Sequence, residues 1–397
     1  LLKISAKVKF FFFFFVIVHS SFGYPSNSNS PVIIPAIPNY LSSRSLGMGG
    51  ANVGVADDEN SIFDNPAGLG TINSMQKGVV KITSLPNISY STNSYTYGLT
   101  NQNYNYYQYP YSLIDNSVKD GTKNNIIFTR ASIFPTIVIG YFQFGILADS
   151  YESGYTSFLS SPQTSAFSNG MTYDRTFSEF RRDQEGLVTG FSLPLAKSFL
   201  FGVSSRVMQR ETRTNIIEAN QNGLIPQAKT QADRNINSTN GAAFDLGIIM
   251  PFKSQLSPKI GLSVLDVGDT TYQASNSSSH DEIEKMNIKA GFSLNPSFSK
   301  FVGAIFSVEE ERINDQRVND RDKIHGGFEL SFGAQSSVNA PFSVRLGYGN
   351  QNFTAGFSIF IIFARLEFAT YAENVSVNGD TVNDRRYIGR LTVDLIK

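Results

Sequence analysis

A two-residue alternation of apolar and polar side chains, repeated through most of the chain, constrains this sequence more than any other feature. Ile324, Gly326, Phe328, Leu330 and Phe332 interleave with Lys323, His325, Gly327, Glu329 and Ser331. Phe342, Val344, Leu346 and Tyr348 interleave with Ser343, Arg345, Gly347 and Gly349. Phe199, Phe201, Val203 and Val207 do the same with Gly202, Ser204, Arg206 and Arg210. Successive side chains of an extended chain point to opposite faces, so each segment has one greasy face and one polar face. A soluble β-sandwich alternates in the same way, so lengths and connections must separate the two.

Alternating segments fall near residues 77–90, 125–139, 143–155, 171–195, 199–217, 240–252, 259–270, 284–296, 300–312, 321–333, 342–349, 353–359, 362–373 and 384–396. Brief connections at 196–198 and 296–300 exchange with longer polar ones at 156–170 and 218–240. Short turns therefore share one end and long loops the other, the asymmetry of an outer-membrane barrel. About 9 to 11 residues suffice for a strand to cross a bilayer, and charge near residues 205–214 and 308–315 predicts strands that project beyond it. Beyond Val18 the longest apolar stretch, residues 357–364, is broken by Ser358 and closed by Arg365, so no helical span is expected. Paired strands in a closed barrel are the other way to satisfy backbone groups in lipid. In the last segment Tyr387, Gly389, Leu391, Val393 and Leu395 should face lipid, with Arg386, Arg390 and Asp394 inward.

Residues 1–23 carry Lys3, Lys7 and Lys9 before an apolar run from Phe10 to Val18, then Ser21-Phe22-Gly23 ahead of Tyr24. This reads as a signal peptide, since nine apolar residues are too few to span as a helix. The 33 basic and 33 acidic residues balance, with no local Lys/Arg cluster, which argues against a nucleic-acid binder. Cysteine is absent, removing disulfide and thiol chemistry. Beyond the signal segment only His280 and His325 remain, with no triad spacing, so no enzyme activity is expected. Residues 89–125, rich in Asn, Ser and Tyr, should form the longest external loop. Its simplest reading is a solvated loop whose aromatics pack together, the sharper one an adhesive or gating surface.

Ahead of the first strand, residues 43–72 read SRSLGMGGANVGVADDENSIFDNPAGLGTI. Its glycines permit tight bends and close packing, and Asn65-Pro66 before Ala67-Gly68 signals a turn. Neither the dinucleotide-binding nor the phosphate-loop glycine spacing is present. At Gly47, Met48, Gly49, Gly50 and Ala51, at Ala56, Asp57 and Asp58, and at Asn65, Pro66, Ala67, Gly68 and Leu69, the chain resembles the FadL/TodX superfamily of outer-membrane proteins, including its PorV-like branch. Weaker echoes are FDLGIIMPF at 244–252 and GLSVLDVG at 261–268, where the family often has Asn at the place of Asp266.

The resemblance implies an all-β transmembrane antiparallel barrel of about fourteen strands, the number into which the alternating segments divide, with the N-terminal segment folded into the lumen as a hatch. Residues 1–23 would then be signal peptide, 24–76 hatch and 77–397 barrel. Members similar to the fatty-acid transporter admit long-chain fatty acids or other hydrophobic compounds and release them sideways through the wall, whereas PorV-like members assist protein secretion. Expected partners are outer-membrane lipid and a hydrophobic small molecule, alternatively secretion or surface proteins. No cofactor is expected, and the chain should act as a monomer. Arg206, Arg345, Arg365 and Glu367 are candidate lumenal charges. The carboxylates of Asp57, Asp58, Glu59 and Asp64 could hold a cation, but they are expected to bond hatch N–H groups or the arginines Arg206, Arg345 and Arg365.

Overall fold

The computed structural model describes residues 40–75, 79–100, 111–120, 126–166, 170–196, 199–234, 236–296, 298–334, 340–377 and 380–394. The expected signal peptide lies outside these residues, as do Tyr104, Tyr106, Tyr107, Tyr109 and Leu395. The described residues form one sheet of fourteen barrel strands in which every neighbour is antiparallel. They are β1 (Val80–Asn93), β2 (Ile126–Ile133 with Thr136–Ile139), β3 (Phe142–Thr164), β4 (Thr172–Ala196), β5 (Phe199–Asn220), β6 (Asn237–Pro251) and β7 (Lys259–Leu265 with Thr270–Ala274). The series continues with β8 (Glu282–Glu284 with Asn287–Leu294), β9 (Val302–Glu310), β10 (Ile324–Phe332), β11 (Phe342–Gly349), β12 (Asn352–Ile361), β13 (Ala364–Val377) and β14 (Asp380–Asp394). β14 returns to pair with β1 from Ser84↔Asp394 to Asn93↔Arg386, which closes the barrel and leaves no sheet edge at the seam. No described helix is long and apolar enough to cross a membrane.

Alternation sorts the side chains as the sequence leads one to expect. Leu346 and Leu366 lie on the outer surface, with Leu330 half-buried among its neighbours there, while Arg345, Arg365 and Glu367 on the same strands are buried inside. Tyr387 and Leu391 point out of β14, and Arg386 and Arg390 point in. The outward Phe, Leu, Ile and Val side chains form a belt that ends near Ile146 on β3, Leu187 on β4 and Val207 on β5.

The wall is uneven in height, as the expected segment lengths and the charge near residues 205–214 suggest for β4 and β5 but not for β3. β9 to β12 have 8 to 10 residues, whereas β3, β4 and β5 have 23, 25 and 22. Residues 156–164, expected in a loop, continue β3, and pairing to β4 holds as far as Thr164↔Thr172 across a bulge after Phe158. Thr, Ser and Gln pair as strand here without apolar alternation, because above the belt neither face meets lipid.

The expected solvated loop at 89–125 is also different. β1 runs on to Asn93, whose side chain accepts from the Thr96 N–H (2.9 Å) and caps helix α4 (Ser94–Thr100). Helix α5 (Tyr111–Asp120) then buries Leu113, Ile114 and Val118 against Ile127, Phe177 and Ala219. β3, β4 and β5 keep one register between the belt and this level, so Phe177 and Ala219 share the strand face of Leu187 and Val207. Helix α5 therefore covers the outer face of the wall above the belt. Helix α6 (Pro226–Arg234) adds Ala228, which joins Ile225 and Ile217 in an adjoining cluster.

Candidate functional site

Residues 40–75 lie inside the barrel and are almost entirely buried. Ser42 accepts from the Ser45 N–H (3.3 Å) and starts helix α1 (Ser43–Gly47), which aims Arg44 at the wall. Gly49 and Gly50 then turn the chain with φ of 70° and 94°, a region that residues with a Cβ rarely enter. Two short helices follow, α2 (Ser61–Asp64) and α3 (Gly68–Met75), separated by the Asn65-Pro66 turn. The Asn65 side chain ties this turn to both partners: its Nδ2 donates to the carbonyls of Val53 (3.0 Å) and Ile248 (3.1 Å), and its Oδ1 accepts from the Ala67 N–H.

The three blocks of the family-like motif are brought together against the inner wall. Met48 packs against Gly327 and joins Val55 and Ile305, while Thr354 donates to the Gly47 carbonyl (3.1 Å) and Ala51 is fully buried. Ala56 and Ala67 pack on Ile249, Gly68 sits on the Ala56 carbonyl, and Leu69 meets Ile82 and Val138. The wall at this level is stripped to backbone. Gly202 pairs with Gly247, Gly261 with Gly291 and Gly327 with Gly347, all on the inner face. A Cβ at Gly202 would collide with Pro66 and Ala67, one at Gly261 with Val53 and one at Gly347 with Met48 and Gly49. Sequence reading counted Gly202, Gly327 and Gly347 only as polar-face positions. Paired glycines on the polar face were the available signal for something lying against them.

Charges complete the seat. Arg44 donates from Nε and NH2 to Glu329 (3.0 Å each) and pairs with Asp57 and Asp58, so the motif carboxylates are met by an arginine of their own segment. Glu329 also accepts from Arg345 (2.5 Å). Glu309 accepts both the Asn52 and Val53 N–H groups (2.7 Å each). Glu367 accepts from Ser43 (3.0 Å) and from Arg390 (3.2 Å), and Arg390 also donates to Glu59 (2.5 Å) and to Asn87 of β1 (2.8 Å). Asp64 takes a hydrogen bond from Asn52 (2.7 Å) and lies 3.8 Å from Lys289.

The expected arginine partners of the acidic cluster are thus replaced by Arg44, Arg390 and Lys289. Arg206 instead bridges Asp245 and Asp266 (2.8 Å to the latter), so the two weaker family echoes converge on one buried cation. Arg345 serves Glu329 and lies 3.5 Å from Glu367, and Arg365 lies 3.8 Å from Asp394. Buried ions are tolerable only when paired in this way. No carboxylate or histidine cluster suited to a metal occurs among the described residues.

Above the motif, the hatch side chains Tyr40, Ile62 and Phe63 form an apolar patch with wall residues Phe134, Leu147, Val188, Met208 and Tyr272. Tyr40 stacks on Phe63 at 4.9 Å between ring centroids, and Phe63 meets Phe134 edge-on at 4.8 Å. The wall behind Met208 is thin, because its cross-strand neighbours are Gly186 and Gly241. On the outer face of these same strands is a recess of about 670 Å³, lined by Ile146, Leu187 and Val207 and rimmed by Glu185, Gln209 and Asn240.

No family model and no curated protein sequence matches the chain. Among solved structures it resembles the deltaS2S3 mutant of the monoaromatic hydrocarbon channel TodX, with a TM-score of 0.53 and 11% identity over 89% of this chain and 99% of that one. The monoaromatic hydrocarbon channel CymD gives 0.48 at 11% identity (89% and 97% covered), and the toluene transporter TbuX of Ralstonia pickettii gives 0.45 at 12% (90% and 99%). At such identities the likeness is one of fold, and it agrees with the motif inside the lumen: the chain takes the FadL/TodX barrel fold.

Proposed function

We propose that this chain is a FadL/TodX-type channel of the Gram-negative outer membrane that passes hydrophobic small molecules. One observation carries the reading: an apolar patch inside the lumen lies back to back with an apolar recess on the lipid face, across wall positions where Gly186 and Gly241 have no side chain. A lipid-like solute gains about 25 cal/mol for each square ångström it withdraws from water, which favours its entry into this packed apolar interior once the side chains part, without a cofactor. Long-chain fatty acids and aromatic hydrocarbons both suit this chemistry. Residues 1–23 act as the export signal, residues 24–76 as the hatch that keeps small ions from passing, and a single chain is the working unit.

The test fills the thin wall. Met208→Trp overpacks the patch at a cost of about 1 to 3 kcal/mol, which a barrel can bear. Purified wild type should speed entry of a labelled fatty acid or toluene into liposomes, and the variant, still heat-modifiable and in the outer-membrane fraction, should be several-fold slower. Equal rates for the two proteins, or for wild type and protein-free liposomes, would sink the reading.

A second reading, an adaptor that holds secreted or surface proteins, is favoured by one feature: β3 to β5 with α5 and α6 raise a folded lobe beyond the belt that a diffusion path does not need. It expects unchanged uptake but a co-purifying protein, lost when α5 and α6 are cut away.

A further inference from the structure

The hatch turn at Gly49-Gly50 rests on an imidazole. His325, on the inner face of β10, has its Nδ1 2.5 Å from the Gly49 carbonyl oxygen and its Nε2 3.5 Å from a carboxylate oxygen of Glu311, just past β9. The ring is buried, and a Cβ on Gly50 would come within 2.9 Å of Nδ1, so neither ring nor turn can slide aside. Both atoms facing the ring are acceptors. Only a doubly protonated imidazole turns an N–H on both, as a hydrogen bond to Gly49 and an ion-pair contact to Glu311, whereas either neutral tautomer sets a nitrogen lone pair against a carbonyl or a carboxylate.

The geometry points to His325 as a proton-operated latch, which grips the hatch turn in acid and loosens it as pH rises through neutrality. The charged and titratable groups around the ring fix the sign. Glu309 is its cross-strand neighbour on β9, and Glu311 precedes Arg312 in the following connection. Lys289 of β8 lies 3.8 Å from Glu309, 3.4 Å from Glu311 and 3.8 Å from Asp64 of the hatch, and Arg312 lies 2.8 Å from Glu311. Two cations hold Glu311 ionised whatever the state of the ring, so at this contact the proton that comes and goes over the range in which imidazoles titrate, around 6.5, is the one on His325. Losing it leaves a ring that still donates from Nδ1 to Gly49 but turns an Nε2 lone pair on Glu311, and this buried repulsion weakens the ring's hold enough to open the turn about tenfold more often. Because Glu309 still holds the Asn52 and Val53 N–H groups, opening should be confined to the turn.

Hydrogen exchange on the full-length protein in lipid nanodiscs, with no transported compound present, tests the latch separately from channel function. Exchange of peptides covering residues 47–56, corrected for the intrinsic effect of pH and normalised to residues 342–349, should rise about tenfold from pH 5 to pH 8. His325→Gln, which donates to the carbonyl at every pH, should abolish the rise. Glu311→Gln, which removes the carboxylate facing Nε2 and also serves should the first variant misfold, should shrink it. A flat wild-type profile, or an undiminished slope in either folded variant, overturns the proposal.

Discussion

The hatch meets the two sides of the barrel through different chemistry. On the side of the short strands, β9 to β12 with the 14-residue β13 beside them, the contacts are ionic or charge-assisted: Arg44 on Glu329, the Asn52 and Val53 amides on Glu309, and Ser43 on Glu367. On the tall side, β4 and β5, they are apolar or neutral: Ile62 and Leu69 fill the space above Gly190, Pro66 and Ala67 lie on Gly202, and Ser192 and Ser204 donate to hatch carbonyls (3.2 and 3.3 Å). The charged seat lies where the wall is scarcely taller than a bilayer. The apolar seat lies where β3 to β5 continue far above it and carry α5 on their outer face. What a strand face carries is thus set by what it meets at each height: one face of β4 shows Leu187 to lipid and Phe177 to a helix.

The largest effect is expected at the charged seat. Glu329→Ala takes from Arg44 its two-pronged wall partner and from Arg345 its nearest carboxylate, and breaking a buried ionic cluster from one side costs about 3 to 5 kcal/mol. Ser192→Ala, on the neutral seat, removes one hydroxyl shared between the carbonyls of Ala67 and Phe201 and should cost about 1 kcal/mol. Urea unfolding in lipid vesicles measures both, and equal losses would erase the distinction between the seats.

Next in size is the contrast between belt and lobe. Leu346→Arg, at an outward site on β11, should cost about 2 to 4 kcal/mol. Ile216→Arg on β5 is as exposed (65% against 61% for Leu346) but lies above the belt on the strand face of Arg206, so the same titration should find it within about 0.5 kcal/mol of wild type. A comparable loss at Ile216 would mean that exposure alone, and not contact with lipid, sets the cost at Leu346.

How much of this was legible follows the same line. The alternation that separates Leu346 from Arg345 and Leu366 from Glu367 is a direct record of lipid on one side and lumen on the other, so the belt and its strands could be read from sequence. Above the belt that record stops. Thr156, Ser157 and their partners pair as strand without an apolar face, and Leu113, Ile114 and Val118 gave a helical stripe too short to stand out within a polar segment. The charge partners were also out of reach, because whether Glu59 meets Arg390 or Arg365 depends on which strands neighbour the hatch after the barrel closes. The glycine pairs were legible in principle: each falls on the inner face of its strand, where an empty position invites a neighbour.

The smallest effect belongs to α5. Ile114→Val removes one buried methylene against Ile127 and Phe177, at a cost of about 0.5 to 1.5 kcal/mol. It should appear as faster amide exchange in residues 111–120 with the belt strands unchanged, and spread of the effect into β11 or β12 would show that lobe and barrel unfold as one unit.

Arg390 gives the barrel an order of events. It lies on the last strand to be made, and its guanidinium reaches Glu59 of the hatch and Asn87 of the first strand at once. If the seam between β14 and β1 zips up before the hatch is seated, that cation has only Glu367 of its two carboxylates. Arg390 completes its contacts only around a hatch already in place. The segment ahead of β1 is thereby the template on which β14 is fastened.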